Sequence, residues 1–592
     1  MRILYKSIFV LLIIACLLGA TYFQRDLDAT RSAIRDRTII GEAPSDPEIV
    51  LLTHLLGGFK GLLVDAVWLR ANMLQQDDQY WELYTLYNWM GKLEPHLETI
   101  WVFNGWNMAY NLIANLSSDE ARWLWIWRAI SYMRDEGLKY NPQSSEIMKQ
   151  ISWTFYHKIG QYHDDNHLYY KHRLALVMNS IMGDRDMQDM KGVRDAPKDL
   201  ETLLQDEEIR RVIGRRYELD PDVEPVSQLD DAQGIYGIPR VIHSLIYADK
   251  PEGMSYGEFM KMPEGSVARK IVNFVVARTL VEQLKMKDLD LIVEMEEKYN
   301  QFDWRMPEPH ALYWGELASR RDRHVNPASE KQIDYDRMVI FSLVQLARRG
   351  NIAYMGPVPS GTGGTFITTT DFSKIEPVHQ LYLEMMEKYP VVDYGLEIRG
   401  STSIRDGHYQ FIRWAVFTLY FSGYERQAET YYNIMRVMHN KPAEPISLKD
   451  WNIGRVQVMV DEYGTYAQIR SFIDSLLFKA IYSMCVNDYD TARQSENLAR
   501  RAWSAFLSDD EKHRQARLDT GGRLPTFEEI YESNVRVILT GQNPLFPQRL
   551  IQVLRNMVGV KEGDELIRID PGEGLAPPAP PTSPIDESPH DF

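Results

Sequence analysis

Cysteine is almost absent from this 592-residue chain, which has only Cys16 and Cys485. Cys16 lies inside an N-terminal apolar run, so a disulfide between the two is not expected, and the count rules out a cysteine-based zinc site. The C-x-x-C-H of a c-type haem is missing. Long basic runs are missing too: 66 Lys and Arg stand against 83 Asp and Glu, a formal charge of −17. No segment supplies the clustered cations that phosphate contacts need, so nucleic acid is not expected as a partner. The stretch Gly356 to Thr365, GPVPSGTGGT, lacks the lysine that a nucleotide-binding loop places directly after its last glycine. It reads instead as a loop covering a groove, and no cofactor is expected.

What the chain does contain is apolar and aromatic, with 44% hydrophobic residues and 11% Trp, Tyr and Phe, enough for a substantial core. Arg2 and Lys6 precede Ile8 to Phe23, an apolar run of about 16 residues that is short for a full span but right for a signal peptide or signal anchor. Leu18 occupies a position where cleavage after Ala20 wants a small residue. Residues 1–23 are therefore expected to be an uncleaved single-pass anchor. Ile13-Ile14-Ala15-Cys16 also resembles a lipoprotein box, which would lipidate Cys16, but the run stays apolar beyond it. Every version puts the bulk of the chain in the periplasm or otherwise outside the cytoplasm, although Arg25, Arg31, Arg35 and Arg37 weaken the charge asymmetry that sets orientation.

Residues 24–46 read as a juxtamembrane linker. Ile49 to Leu74 is strongly apolar, and Gly57 and Gly61 fit close helix packing. His54, Lys60 and Asp65 weigh against a second span. Helical hairpins fill 47–182: Leu62 to Leu74 with Tyr80 to Leu93, Ile100 to Leu116 with Glu120 to Tyr140, and Ser144 to Ile159 with His167 to Met182. In the first, Trp68, Ala71, Leu83 and Tyr87 take the inward positions. Ser117-Ser118-Asp119-Glu120 carries cap chemistry. Residues 183–266 form a charged, Pro-punctuated and partly irregular insertion, 267–350 are helical, and 351–372 form a Gly/Thr-rich loop or β-hairpin. Helices return over 373–565, and 566–592 is a disordered Pro-rich tail.

Candidate chemistry is sparse. His157, His163, His167 and His172 form the best metal cluster: if Asp164 to His172 were helical, His163 and His167 would lie one turn apart on one face. H-E-x-x-H is absent, and a histidine-rich polar turn accounts for the same residues. Trp123-Leu124-Trp125-Ile126-Trp127 places Trp123 and Trp127 on one helical face and Trp125 on the other. Either these rings are buried on both sides in a layered array, or together with Trp101 and Trp106 they line a groove for a peptide or glycan. Glu308 with His310, and Asp406 with His408, have no fixed geometry, so no catalytic residue is assigned.

The fold-defining stretches are two late hairpins. Ser475 to Trp503 places Ala480, Ala492 and Ala499 where two helices cross, around the turn Asp488-Tyr489-Asp490, with Tyr489 packing the turn. Gly407 to Met438 repeats the layout with Ala415, Gly423-Tyr424-Glu425, Ala428 and Tyr432. These residues resemble the tetratricopeptide repeat (TPR) family, and the hairpin ending Leu93-Glu94-Pro95 matches it more weakly. The whole is similar to large membrane-anchored bacterial proteins with degenerate repeats of this kind. Pro95 and Pro142, each closing a hairpin, stand 47 residues apart, against about 34 in the plain repeat. The resemblance implies an all-α, irregular α-solenoid that binds partners on a concave face, and it carries over no catalytic residue. The expected function is a membrane-anchored scaffold of the bacterial cell envelope that binds protein partners, rather than an enzyme. The alternatives are a glycan-binding or carbohydrate-active α/α-barrel-like protein and a metal-dependent enzyme at His157 to His172.

Overall fold

The computed structural model describes residues 60–560 apart from 78, 162, 184, 186–187, 212–265, 327–328, 356–365, 391–400, 462–465, 520–523 and 540–547. The expected anchor, the linker, the Pro-rich tail, most of the charged insertion and the Gly356 to Thr365 loop lie outside the described residues. The fold class is all-α, and the only strands among the described residues form one antiparallel pair. No helix among them is long and apolar enough to cross a membrane. Two compact units divide the chain, with described residues through Leu346 in the first and those from Ala347 onward in the second.

The first unit holds α1 (Lys60–Gln76), α2 (Tyr80–Leu93), α3 (Glu98–Tyr110), α4 (Asp119–Ser131), α5 (Ser145–Trp153), α6 (His167–Met182), α7 (Met190–Arg194), α8 (Leu200–Leu203), α9 (Val267–Arg278), α10 (Leu289–Tyr299), α11 (Pro307–Val325) and α12 (Gln332–Arg349), whose last three residues belong to the second unit. Side chains set the starts. Ser118, Ser144 and Asp288 each accept a hydrogen bond from the amide three residues on, at 3.3, 3.2 and 2.9 Å, and Pro307 occupies a first-turn position where its missing N–H costs nothing. Helix α1 packs on α2 and α3 on α4, as the hairpin spacing predicts. The third expected pair meets mainly through the turn Thr154–Gly160, which packs on α6. Helix α5 packs chiefly along α11, where the Ser152 hydroxyl donates to the Ala311 carbonyl at 2.6 Å and Phe155 stacks on His310. Three of the described helices end in π turns, α4 through Tyr132–Gly137, α5 through Thr154–Gly160 and α9 through Thr279–Gln283.

The second unit opens with β1 (Asn351–Met355) and β2 (Phe366–Thr369), paired Asn351 to Thr369 and Met355 to Phe366 with an irregularity between Ile352 and Tyr354. Then follow α13 (Ile375–Lys388), α14 (Ser401–Phe421), α15 (Glu425–His439), α16 (Leu448–Asp461), α17 (Tyr466–Cys485), α18 (Tyr489–Leu507), α19 (Asp510–Asp519), α20 (Phe527–Leu539) and α21 (Gln548–Val558). Pairs α14/α15 and α17/α18 are the two late hairpins. Ala415, Ala428, Ala480, Ala492 and Ala499 are all buried where these helices meet, because small side chains let the backbones approach. The turns use left-handed backbone at Gly423 (φ 87°) and Asn487 (φ 62°), residue types that tolerate it. Asp488 caps α18 through the Thr491 amide at 3.1 Å. Tyr489, expected to pack the turn, is only partly buried, and its hydroxyl donates to Asn487 Oδ1 at 3.1 Å. Leu477, Ile481, Trp503, Phe506, Ile530 and Leu554 belong to one core, which takes in Cys485 at the end of α17.

Candidate functional site

The helical period decides which aromatic residues reach the surface. On α3, Ile100, Trp101, Asn104, Asn107 and Met108 are buried, which leaves Phe103, Trp106 and Tyr110 along the outer side at i, i+3 and i+7. From this row a stripe of rings crosses the first unit. Trp68 of α1 lies 4.7 Å from Phe103, Phe103 6.2 Å from Trp106, and Trp106 stacks on Tyr110 at 5.9 Å. Tyr110 meets His157 at 5.8 Å, and its hydroxyl is 3.2 Å from His157 Nδ1. Trp153 stacks on His157 at 4.6 Å, and His163 joins at 5.0 Å. Trp153 then leads to Tyr156, and Tyr156 stacks on Phe341 of α12, each step 5.8 Å. The π turn after α5 carries Tyr156 and His157 into the stripe, and such turns re-aim side chains at functional sites. Phe103, Trp106, His163 and Phe341 are exposed, and the other rings are half-buried.

Charge along the stripe is contained. Lys158 Nζ lies 5.1 Å from the Tyr110 ring and 2.5 Å from Asp164 Oδ2. Burial opposes ionisation of Asp164, but the Lys158 ammonium and the Asn166 amide outweigh it and hold the carboxyl below its usual range. Burial, followed by His163 and Lys158, lowers His157. Burial also raises the Tyr110 phenol.

The sequence-derived candidates separate on this surface. Of the five tryptophans, Trp106 is exposed and Trp127 half-buried, while Trp101, Trp123 and Trp125 are buried and pack the interior. Trp101 stacks on Tyr140 and donates its Nε1–H to the Pro95 carbonyl at 3.0 Å. Trp123 stacks on Trp127, and Trp125 is ringed by Tyr80, Trp81 and Tyr84. Both faces of α4 are thus core, because neighbouring helices cover each. Trp68, expected inward, belongs to the stripe instead. Phe103, Tyr110, Trp153, Tyr156 and Phe341 were not foreseen. The i, i+3, i+7 row at 103, 106 and 110 was the available signal, while Phe341 arrives from a remote helix.

The helical face expected to carry His163 and His167 does not form. Helix α6 begins at His167, so His163 and Asp164 precede it and are not one turn away on its face. His157 Nδ1 faces Tyr110, His167 Nδ1 lies 2.9 Å from Lys171 Nζ, and His172 is buried within α6. Among the described residues no group of three His, Cys, Asp or Glu side chains could hold a metal ion. Glu308 and His310 are both buried, with His310 Nε2 3.0 Å from the Trp304 carbonyl and its pKa pushed down by burial to about 4.

A second cluster, in the second unit, escaped the sequence because its members lie 29 and 31 residues apart. His379 Nδ1 on α13 is 2.8 Å from His408 Nε2 on α14, and His408 Nδ1 is 2.9 Å from His439 Nε2 on α15. His379 and His408 are buried and His439 is half-buried. Each N···N link holds one proton and each end nitrogen one more, so the intact chain accepts a single positive charge; a second added proton must break a link. Burial, then His379 and His439, lowers His408 to about 3. Burial lowers His379 while Glu376 opposes it, and burial with Arg405 lowers His439 against Asp406. Because His408 spends both nitrogens on its neighbours, the three do not converge on a metal. Asp406, once a candidate partner for His408, is exposed on the same helix.

Comparison with protein-family models, with curated proteins and with solved structures finds no match to the chain.

Proposed function

We propose that the chain is a membrane-anchored scaffold of the bacterial cell envelope, an irregular TPR-like solenoid that binds protein partners in the periplasm or elsewhere outside the cytoplasm. The aromatic stripe from Trp68 through Trp106 to Phe341 is its contact surface. The observation that carries this reading is the exposure of Phe103, Trp106 and Phe341 in one continuous row of rings. Large aromatics left at a surface lose little entropy on binding and are enriched at the centres of protein interfaces. Within the first unit the packed pairs α1/α2 and α3/α4 hold Trp68, Phe103 and Trp106 on helices.

The test is photo-crosslinking of the full chain in native membranes, with benzoylphenylalanine in place of Phe103 and, as a control, of the exposed Val437. Partner adducts should form at 103 and not at 437. Pull-down in gentle detergent should lose at least about tenfold of its partners in Phe103→Ala/Trp106→Ala, an effect of the size expected for two hot-spot rings. Recovery of the bait alone, or equal recovery by the variant, would overturn the reading. A second reading, glycan binding, draws on the exposed indole of Trp106, whose face suits the C–H face of a sugar ring. A soluble oligosaccharide that shifts the protein's fluorescence, with the shift lost in Trp106→Ala, would select it.

A further inference from the structure

Helix α1 is apolar on two opposite sides, and only one of them is covered. Ala71 and Leu74 are buried and Val64 and Val67 half-buried on the side that packs against α2. On the far side Leu62 is 64% exposed, Leu69 61% and Met73 55%, with Ala66 exposed between them. These four are spaced four, three and four residues apart, the rhythm of a coiled-coil seam with Leu62 and Leu69 at d and Ala66 and Met73 at a. Val64 and Ala71 then fall at f, opposite the seam, where α2 lies.

We infer that this seam joins α1 to α1 of a second copy of the chain as a parallel two-stranded coiled coil. The flanking charges select both the partner and the direction. Asp65 falls at g and Arg70 at the following e, five residues on, the positions that face each other across a parallel pair. A two-fold dimer would therefore form the Asp65 to Arg70 contact twice. An antiparallel pair would set g against g and e against e, so Asp65 would not face Arg70. Arg70 lies 3.9 Å from Glu82 of α2, both exposed, and so stands at the solvent edge of the seam.

The experiment uses the full chain in gentle detergent, in a Cys16→Ser background. Light scattering across a concentration series should give a dimer. Leu69→Asp should weaken association at least tenfold without changing the circular dichroism, since Leu69 makes little use of the fold. Asp65→Arg alone should weaken the dimer, and Asp65→Arg with Arg70→Asp should restore it, a rescue that loss of folding would not give. Leu69→Cys should cross-link to its copy on mild oxidation. A monomer at every concentration, a dimer indifferent to Leu69→Asp, or failure of the charge-reversed pair to recover would overturn the inference. So would a Leu69→Cys thiol that stays uncrosslinked and becomes shielded from reagent only when lipid vesicles are added.

Discussion

At Gly91 on α2 an added Cβ would stand 2.5 Å from the Trp101 ring, inside contact distance of a side chain that itself has no room to turn. Gly91→Ala should therefore destabilise the first unit by about 1–3 kcal/mol, seen as a lowered urea midpoint with an unchanged m-value. His408 makes a prediction in pH. The folded chain holds it down to about 3, against about 6.5 in an unfolded chain. Between those values the unfolded state takes up a proton that the folded state refuses, so stability is intact above pH about 6.5. It falls toward pH 3 by up to about 1.4 kcal/mol per pH unit from this group. In His408→Phe that share of the slope should vanish, so the variant, though weaker at pH 7, should lose less stability than the parent between pH 7 and pH 5. A variant that loses as much as the parent would refute the proton accounting. None of this was legible in the sequence. Ring stacking on Gly91 and a link between residues 29 and 31 positions apart depend on which helices meet, and no local pattern encodes that.

Among the elements, the late hairpins were the most legible, because the requirements are local: a small residue at each crossing, a turn residue that tolerates positive φ, and a cap. Asp488→Ala removes the acceptor of the Thr491 amide and should cost about 1 kcal/mol of the second unit's stability. Ala499→Leu forces three more carbon atoms into the crossing of α17 and α18 and should cost about 1–3 kcal/mol. Both are checked by chemical denaturation. The pairing of α5 was not legible. Its periodic face predicted a neighbour next in sequence, and that face is satisfied instead by α11, 159 residues away at the Ser152 to Ala311 bond. Apolar periodicity states that a helix has a face to cover; it does not name the cover. The surface stripe was half legible for the same reason. Trp106 could be read from α3 alone, whereas Phe341 and Tyr156 enter through folding.

For the whole molecule, an acidic chain of formal charge −17 leaves single apolar side chains exposed at many places, as folded proteins do, but Phe103, Trp106 and Phe341 are joined by ring contacts into one row. The proposed scaffold role lives at this scale, and the crosslinking contrast between positions 103 and 437 decides it. One small feature also turns the folded state into its own gauge. Cys485, closing α17 in the core, is buried and its thiol is pushed up to about 12, so at neutral pH it should ignore alkylating reagents until the hairpin opens. In a Cys16→Ser background, the rate at which iodoacetamide marks this single atom of sulfur becomes a clock for how often α17 and α18 part. That clock needs no denaturant and can be read on the full chain.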